Sequence, residues 1–247
     1  MQRILAAVIV LVVAAGHAFA ADIAVPAPAP FVAPVYAPIY NWGGIYVGIN
    51  GGGVFGSSSW TDPRNPFGST GDFNVNGGLI GGTLGVNYQA DSWVFGAEGD
   101  FNWQSVKGSS SSSFCTVVGP VTGPSAGLSC TTQSNWLATF RGRVGYAWNY
   151  ILVYGTAGGA WANMKTTVLS GETSNAFGWT AGVGIEYAFA DRWSAKLEYL
   201  FVGFSSISCT SGGCGFNPSA IGAIPANDSV KFNENVIRVG VNYKFPP

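Results

Sequence analysis

The chain has 247 residues, and Lys, Arg, Asp and Glu make up only 9% of them, against about 25% in an ordinary soluble domain. The formal net charge of −1 excludes a basic surface for nucleic acid. The longest apolar run, residues 4–15, is too short for a membrane-spanning helix, and the 14% of aromatic residues excludes a disordered chain. Apolar residues scattered in this way are typical of strands that lie between lipid and a polar interior.

The N-terminus is expected to be an export signal. Within residues 1–20, Arg3 is the positive segment, residues 4–15 are the apolar segment, and residues 18–20 form a small-x-small cleavage site. Cleavage removes His17, the only histidine. Ser–His and Cys–His nucleophiles and His-ligated metal sites are therefore excluded. We expect no enzymatic activity, no catalytic residue, no metal site and no bound cofactor.

Two further segments follow the signal. Residues 21–41 contain five prolines, which fix φ and remove backbone donors, so this stretch is expected to be an extended periplasmic linker. Residues 42–247 repeat one pattern of strands and turns and are expected to form a single domain.

The cysteines are expected to lie in surface loops of an exported chain, where disulfides form. They are Cys115, Cys130, Cys209 and Cys214. Four cysteines allow three connectivities. We favour Cys115–Cys130 and Cys209–Cys214, each closing its own loop, over pairing between loops. A metal site is not expected without histidine or paired C-x-x-C spacing.

From residue 42 to residue 245, runs of alternating apolar side chains are separated by turn residues. This period of two gives each run one apolar and one polar face. In the third run, Trp93 and Phe95 share a face, while Glu98 and Asp100 lie on the other. Eight such runs are present. The facing of the fifth run stays open, because Leu152 with Tyr154 and Ile151 with Val153 compete as the outward pair.

The connections between the runs alternate in length. The short ones are residues 90–92, 149–150 and 190–192, and the long ones are residues 56–72, 105–134, 163–175 and 205–232. This pattern predicts an all-β fold: an eight-stranded antiparallel up-and-down transmembrane β-barrel with short periplasmic turns and long extracellular loops. Both termini are then periplasmic.

Charged residues fall only on the polar faces of the assigned runs. An outward Lys or Arg at mid-membrane would cost about 2–4 kcal/mol, so this placement indicates that the apolar faces contact lipid. A barrel of eight strands is filled by its own side chains, and we expect ion pairs to close it. The predicted lumen ion-pair network comprises Glu98, Asp100, Arg141, Arg143, Glu186, Lys196, Glu198 and Arg238, with Lys244 on the same polar face.

Three sequence motifs resemble those of known outer-membrane proteins. The C-terminal V-I-R-V-G-V-N-Y-K-F resembles the assembly signal of outer-membrane barrels, with Tyr243 and Phe245 as its aromatic residues. Residues 42–245 resemble the OmpA-like barrel superfamily. The W-G-G-I-Y-V-G-I-N start at Trp42 and the W-S-A-K-L-E-Y-L-F run at Trp193 are similar to the RopB-like surface proteins of alphaproteobacteria. Unlike the usual signal, Phe245 is followed by two prolines.

This resemblance implies a protein of the bacterial cell outer membrane with a structural, envelope-integrity and surface-contact role, including adhesion or host interaction. The expected partners are outer-membrane lipid and lipopolysaccharide, the barrel-assembly machinery, and a host or environmental ligand at the extracellular loops. The alternative is a narrow porin-like channel for ions or small solutes. Some relatives bind haem, but no histidine or methionine pair supports haem binding here, since Met1 and Met164 are the only methionines.

Overall fold

A computed structural model describes residues 40–61, 69–112, 129–167, 171–205, 207–209 and 228–246. Long stretches of alternating side chains form nine β-strands in these residues. The predicted signal and nearly all of the predicted linker lie outside these residues. No helix in the described ranges is long and apolar enough to cross a membrane. The strands are β1 (Gly44–Thr61), β2 (Phe73–Ala90), β3 (Trp93–Ser110), β4 (Cys130–Trp148), β5 (Ile151–Thr167), β6 (Gly171–Ala190), β7 (Trp193–Phe204), β8 (Ile207–Cys209) and β9 (Asp228–Lys244).

The strands form one closed antiparallel sheet. Each of β1 to β7 pairs with its successor in the order β1-β2-β3-β4-β5-β6-β7-β9, and β9 pairs with β1 to close the cylinder. The short β8 continues the line of β7 along β9: β7 pairs as far as Gly203, and β8 resumes opposite Val230. The predicted eight-stranded barrel is therefore confirmed, with one strand position interrupted.

The register of the sheet sets the tilt of the strands. A row of paired residues that starts at Tyr46 on β1 crosses every strand and returns to β1 at Gly56, ten residues further along (56 − 46). Such a stagger requires the strands to lie roughly 35–45° from the barrel axis. The resulting cylinder is just wide enough for its own side chains to fill.

Two-residue turns join the strands at one end, here called the turn end. They are Asp91–Ser92, Asn149–Tyr150 and Asp191–Arg192. The φ angles of Asp91 and Asn149 are 52° and 53°, in the left-handed region that Asp and Asn tolerate better than most residues and that tight hairpins require. These turns confirm the predicted short connections. The opposite end is the loop end.

The apolar faces point outward. Trp93, Phe140 and Val183 are 52%, 62% and 61% exposed on the barrel exterior, whereas Glu98 and Arg143 are each 2% exposed in the interior. The structure also settles the fifth run: Ile151 and Val153 face outward, and Leu152 and Tyr154 face inward.

Aromatic side chains ring the exterior at two levels. Near the turn end, Trp93 contacts Tyr146 and Trp193 contacts Tyr243, with ring centroids 5.6 and 5.0 Å apart. The second ring, here called the loop-side girdle, comprises Phe101, Trp103, Trp136, Trp161, Phe177 and Trp179. Two such belts mark the interfaces of a membrane.

The predicted long loops were too long. β1 extends to Thr61, β3 to Ser110 and β5 to Thr167, well past the predicted loop starts at residues 56, 105 and 163. Beyond the loop-side girdle the alternation continues with its polarity reversed. On β3, the apolar Val106 faces inward, while Ser105 and the other outward residues of this stretch are polar. Outside the bilayer the exposed face of a strand contacts water and is polar. A prediction that requires outward apolar residues therefore ends each strand too early.

Candidate functional site

The inner faces of five strands bring together all eight residues of the predicted ion-pair network. β3 supplies Glu98 and Asp100, β4 supplies Arg141 and Arg143, and β6, β7 and β9 supply the rest, each at an inward position. Within a strand the members are two residues apart because alternate side chains face the same side. All eight are buried: Glu98, Asp100, Arg141, Arg143, Glu186, Lys196, Glu198 and Arg238. We call this set the ionic lattice.

Arg141 is the centre of the ionic lattice. Its guanidinium lies 2.5 Å from Glu98, 2.7 Å from Asp100 and 3.1 Å from Glu198. It also donates through Nε to the Thr139 hydroxyl at 2.9 Å. A single fully buried cation thus contacts three carboxylates on two strands, and its donors are directed at acceptors rather than at water.

Arg238 contacts two of the same acids, Asp100 across the lumen and Glu198 on the neighbouring strand β7. It donates to both carboxylate oxygens of Asp100, at 3.0 and 3.1 Å, and lies 2.6 Å from Glu198. Each of the two carboxylates also accepts a hydrogen bond from a neutral donor: Thr139 donates to Asp100 at 2.8 Å, and Tyr154 donates to Glu198 at 3.0 Å. Two arginines and two acids therefore form a compact, hydrogen-bonded block across the barrel.

A second group lies nearer the turn end and is joined to the first. Arg143 pairs with Glu186 at 3.0 Å, and the Glu186 carboxylate also accepts hydrogen bonds from Ser194 and Asn242. Arg143 donates to the Tyr46 hydroxyl, which in turn donates to Glu98, each at 2.8 Å. The lattice is therefore continuous from one group to the other.

Two glycines on the inner face make room for the lattice tyrosines. A Cβ on Gly85 would lie 2.3 Å from the Tyr46 ring, and a Cβ on Gly184 would lie 2.4 Å from the Tyr154 ring. The Tyr154 ring is held there by the Arg143 guanidinium, 4.1 Å from its centroid. These positions need glycine because a tyrosine ring approaches the strand too closely to leave room for a Cβ.

An apolar layer, the turn-end plug, covers the turn-end side of the lattice. It contains Tyr40, Trp42, Val94, Ala147, Leu152, Tyr154 and Ala188. Tyr40 and Trp42, which precede β1, pack edge to face at 4.7 Å. Burial raises the pKa of Tyr40 to about 12, and the nearby Glu186 and Asp191 carboxylates add to the rise. Lys244 lies here rather than in the lattice, with its Nζ 4.3 Å from the centroid of the neutral Tyr40 ring.

A larger apolar layer fills the barrel on the loop side. This loop-side core contains Val54, Val75, Leu79, Val106, Leu137, Ala160, Ala162, Met164, Ala176, Leu200, Val202, Phe204, Phe232 and Val236. Trp60 lies beyond it, fully buried, and donates through Nε1 to Thr132 at 3.1 Å. Ion pairs therefore fill only part of the interior, and apolar side chains fill the rest.

Glu234 belongs to the interior but was missed by the sequence analysis. It is fully buried and accepts a hydrogen bond from the Gln104 amide at 3.1 Å, while its Oε2 has no hydrogen-bond partner among the described residues. The alternation assigned to the last run began only at Ile237. Glu234 lies four residues before Arg238, and this even spacing places both side chains on one face of a strand. That spacing was the signal that could have identified Glu234.

The remaining predicted sites lie elsewhere. Tyr243 and Phe245, the aromatic residues of the predicted assembly signal, face outward and contact each other at 5.4 Å. Cys130 is in a disulfide, but Cys115 and Cys214 lie outside the described residues, so both pairings stay predictions. Across the described ranges, no three His, Cys, Asp or Glu side chains are grouped so that they could hold a metal ion.

Comparison with known proteins gives several matches. A family model described as "Outer membrane protein beta-barrel domain" matches residues 6–245. The 31 kDa outer-membrane immunogenic protein of Brucella melitensis biotype 1 is 34% identical over 94% of this chain and 95% of its own length. The 25 kDa outer-membrane immunogenic protein of Brucella canis is 31% identical over 92% and 91%. Among solved structures, the outer membrane protease OmpT from Escherichia coli is similar with a TM-score of 0.49 and 8% identity, covering 82% of this chain and 97% of its own.

Proposed function

Because the chain belongs to the outer membrane protein β-barrel domain family, we propose that it acts as a closed structural barrel of the bacterial outer membrane. In this role it supports envelope integrity and carries surface loops that contact other cells or the environment. The proposal includes no catalytic role, since the buried acids that could act as catalysts are, apart from Glu234, engaged by buried cations.

The single observation that carries the proposal is the ionic lattice. Arg141 and Arg238 are at most 1% exposed, and they bridge carboxylates that project from β3 and β7. Moving such a lattice aside would separate buried charges from their partners, which costs several kcal/mol per ion. A lumen crossed in this way favours a closed barrel over a conducting one.

The layers on either side of the lattice support the same proposal. Ions crossing the barrel would also have to pass the loop-side core and the turn-end plug, whose members Leu137 and Leu152 are at most 1% exposed. Apolar side chains packed in this manner offer no hydrogen bonds to a hydrated ion, so each layer is a separate barrier.

The exterior beyond the loop-side girdle supports the surface-contact part of the proposal. Strand positions there that face outward carry Ser, Asn, Thr and Lys, as in Ser57, Asn76 and Lys107. The strands therefore continue past the bilayer on this side. We further propose that the barrel-assembly machinery reads the outward aromatic pair Tyr243 and Phe245.

Planar-bilayer recording tests the closed lumen. We expect folded, purified protein to give no stable conductance steps, and its gel mobility with and without heating checks that it is folded. A stable conductance from the folded monomer would favour the porin-like alternative and displace the proposal. The contact role is tested separately by complementing a deletion strain with a variant in which a short turn replaces residues 210–227: envelope integrity should return without adhesion.

A further inference from the structure

A straight row of outward polar side chains crosses five neighbouring strands on one side of the barrel. The register pairs Asn76 on β2 with Lys107 on β3, Lys107 with Gln133 on β4, Gln133 with Lys165 on β5, and Lys165 with Thr173 on β6. Lys107 and Lys165 are both exposed. They are separated by one strand, so their Cα atoms lie about 10 Å apart. We call these five residues the lysine row.

The lysine row has a fixed height relative to the membrane. Lys107 lies four residues beyond Trp103 on β3, and Lys165 lies four residues beyond Trp161 on β5. Both tryptophans belong to the loop-side girdle, which marks the membrane interface. Four residues span about 13 Å along a strand, and the tilt of the strands reduces the height. Both lysine side chains therefore lie just outside the apolar layer, where the headgroups of the outer leaflet are.

The electrostatics of the row favour an anion. Neither lysine has a carboxylate within salt-bridge distance among the described residues, and the side chains between and beside them, Gln133, Asn76 and Thr173, are neutral hydrogen-bonding groups. The outward positions of β2 to β6 beyond the girdle carry no acid among the described side chains. Two cations this close repel each other when no described carboxylate pairs with them, and an anion placed between them removes that repulsion.

We propose that the lysine row binds the phosphate groups of lipopolysaccharide in the outer leaflet. Each lysine provides three donors and a flexible stem that can reach down towards the girdle, and the Gln133 amide lies between the two. The girdle tryptophans beneath the row contact the acyl chains, so one lipid molecule engages both layers. This binding depends on the position of the barrel in the outer membrane and is independent of whether the lumen is closed.

Native mass spectrometry of the folded full-length protein in detergent micelles, titrated with purified phosphorylated lipid A, tests the proposal. The test variant is Lys107→Gln with Lys165→Gln. The matched control is Lys231→Gln, an exposed lysine on β9 that pairs with Ser59 rather than with the row. All three lysine side chains are exposed, so their substitution should leave folding intact. We expect the double variant to bind roughly tenfold to thirtyfold more weakly, at about 1 kcal/mol per lysine, and the control to bind within about twofold of the wild type.

Three further arms identify the ligand. Dephosphorylated lipid A should bind the wild type and the double variant equally, and phosphatidylglycerol, which carries a single phosphodiester, should distinguish them less than lipid A does. Inorganic phosphate at matched concentration should not displace lipid A. Unchanged lipid A binding by the double variant, an equal loss in Lys231→Gln, or displacement by inorganic phosphate would each overturn the assignment. None of these results would bear on the conductance test of the closed lumen.

Discussion

The ionic lattice and the loop-side core occupy the same lumen and share the strands β3, β4, β6, β7 and β9, yet they fill it by opposite means. On β4, Arg141 and Arg143 point into the lattice, and Leu137, from the same face a few residues earlier, points into the core. The lattice depends on specific partners, whereas the core depends only on volume. A barrel interior can therefore be closed by charge or by apolar packing, and this protein uses each at a different depth.

This difference predicts unequal sensitivity to substitution. A charge removed from the lattice leaves its partners buried and unpaired, which is more costly than the loss of the pair itself. A side chain shortened in the core loses only its own transfer free energy and leaves a cavity. Three substitutions measure the difference, each by urea titration in detergent micelles followed by tryptophan fluorescence.

Arg141→Ala should have the largest effect. It removes the cation that contacts Glu98, Asp100 and Glu198, and we expect the free energy of unfolding to fall by about 3–5 kcal/mol. The matched control is Arg192→Ala, at an exposed turn position, where the expected loss is below about 1 kcal/mol. Equal losses in the two variants would show that the lattice contributes no more than a surface arginine.

Leu137→Ala should have an intermediate effect. Its side chain is 1% exposed in the loop-side core, and the predicted loss is about 3 kcal/mol from transfer and cavity terms. Leu197→Ala, the control, removes the same atoms from a lipid-facing position. There the loss should be smaller because detergent chains fill the space. If the lipid-facing variant is the less stable of the two, the core is not tightly packed.

Glu234→Gln should have the smallest effect. This carboxylate has one donor, Gln104, and no cation partner among the described residues, so removing its charge should leave stability unchanged or slightly higher. Glu198→Gln, made in parallel, takes a negative charge from between Arg141 and Arg238, and a loss of about 3 kcal/mol is expected. A comparable loss in both variants would mean that Glu234 has an ionic partner.

Much of this architecture could be predicted from local pattern. Alternation placed Trp93 and Phe140 outside and Glu98 and Arg143 inside, because a strand directs successive side chains to opposite faces. The tight turns at Asp91 and Asn149 could also be predicted from the sequence, because Asp and Asn are among the few residues that tolerate a positive φ. The same rule failed where the solvent changed: past the loop-side girdle the outward face is polar, and the strands were predicted to end too soon.

The sequence by itself determined the eight strand positions, the direction of their apolar faces and the inward placement of the eight lattice residues, because each of these follows from the local period of two and from the cost of placing charge in lipid. Only the tertiary structure decided which acid meets which base. Arg141 and Glu198, or Arg238 and Asp100, meet across the lumen according to the stagger of the whole closed sheet, and no local pattern contains that stagger. The same register leaves Glu234 without a cation partner among the described residues, and it also aligns the five residues of the lysine row.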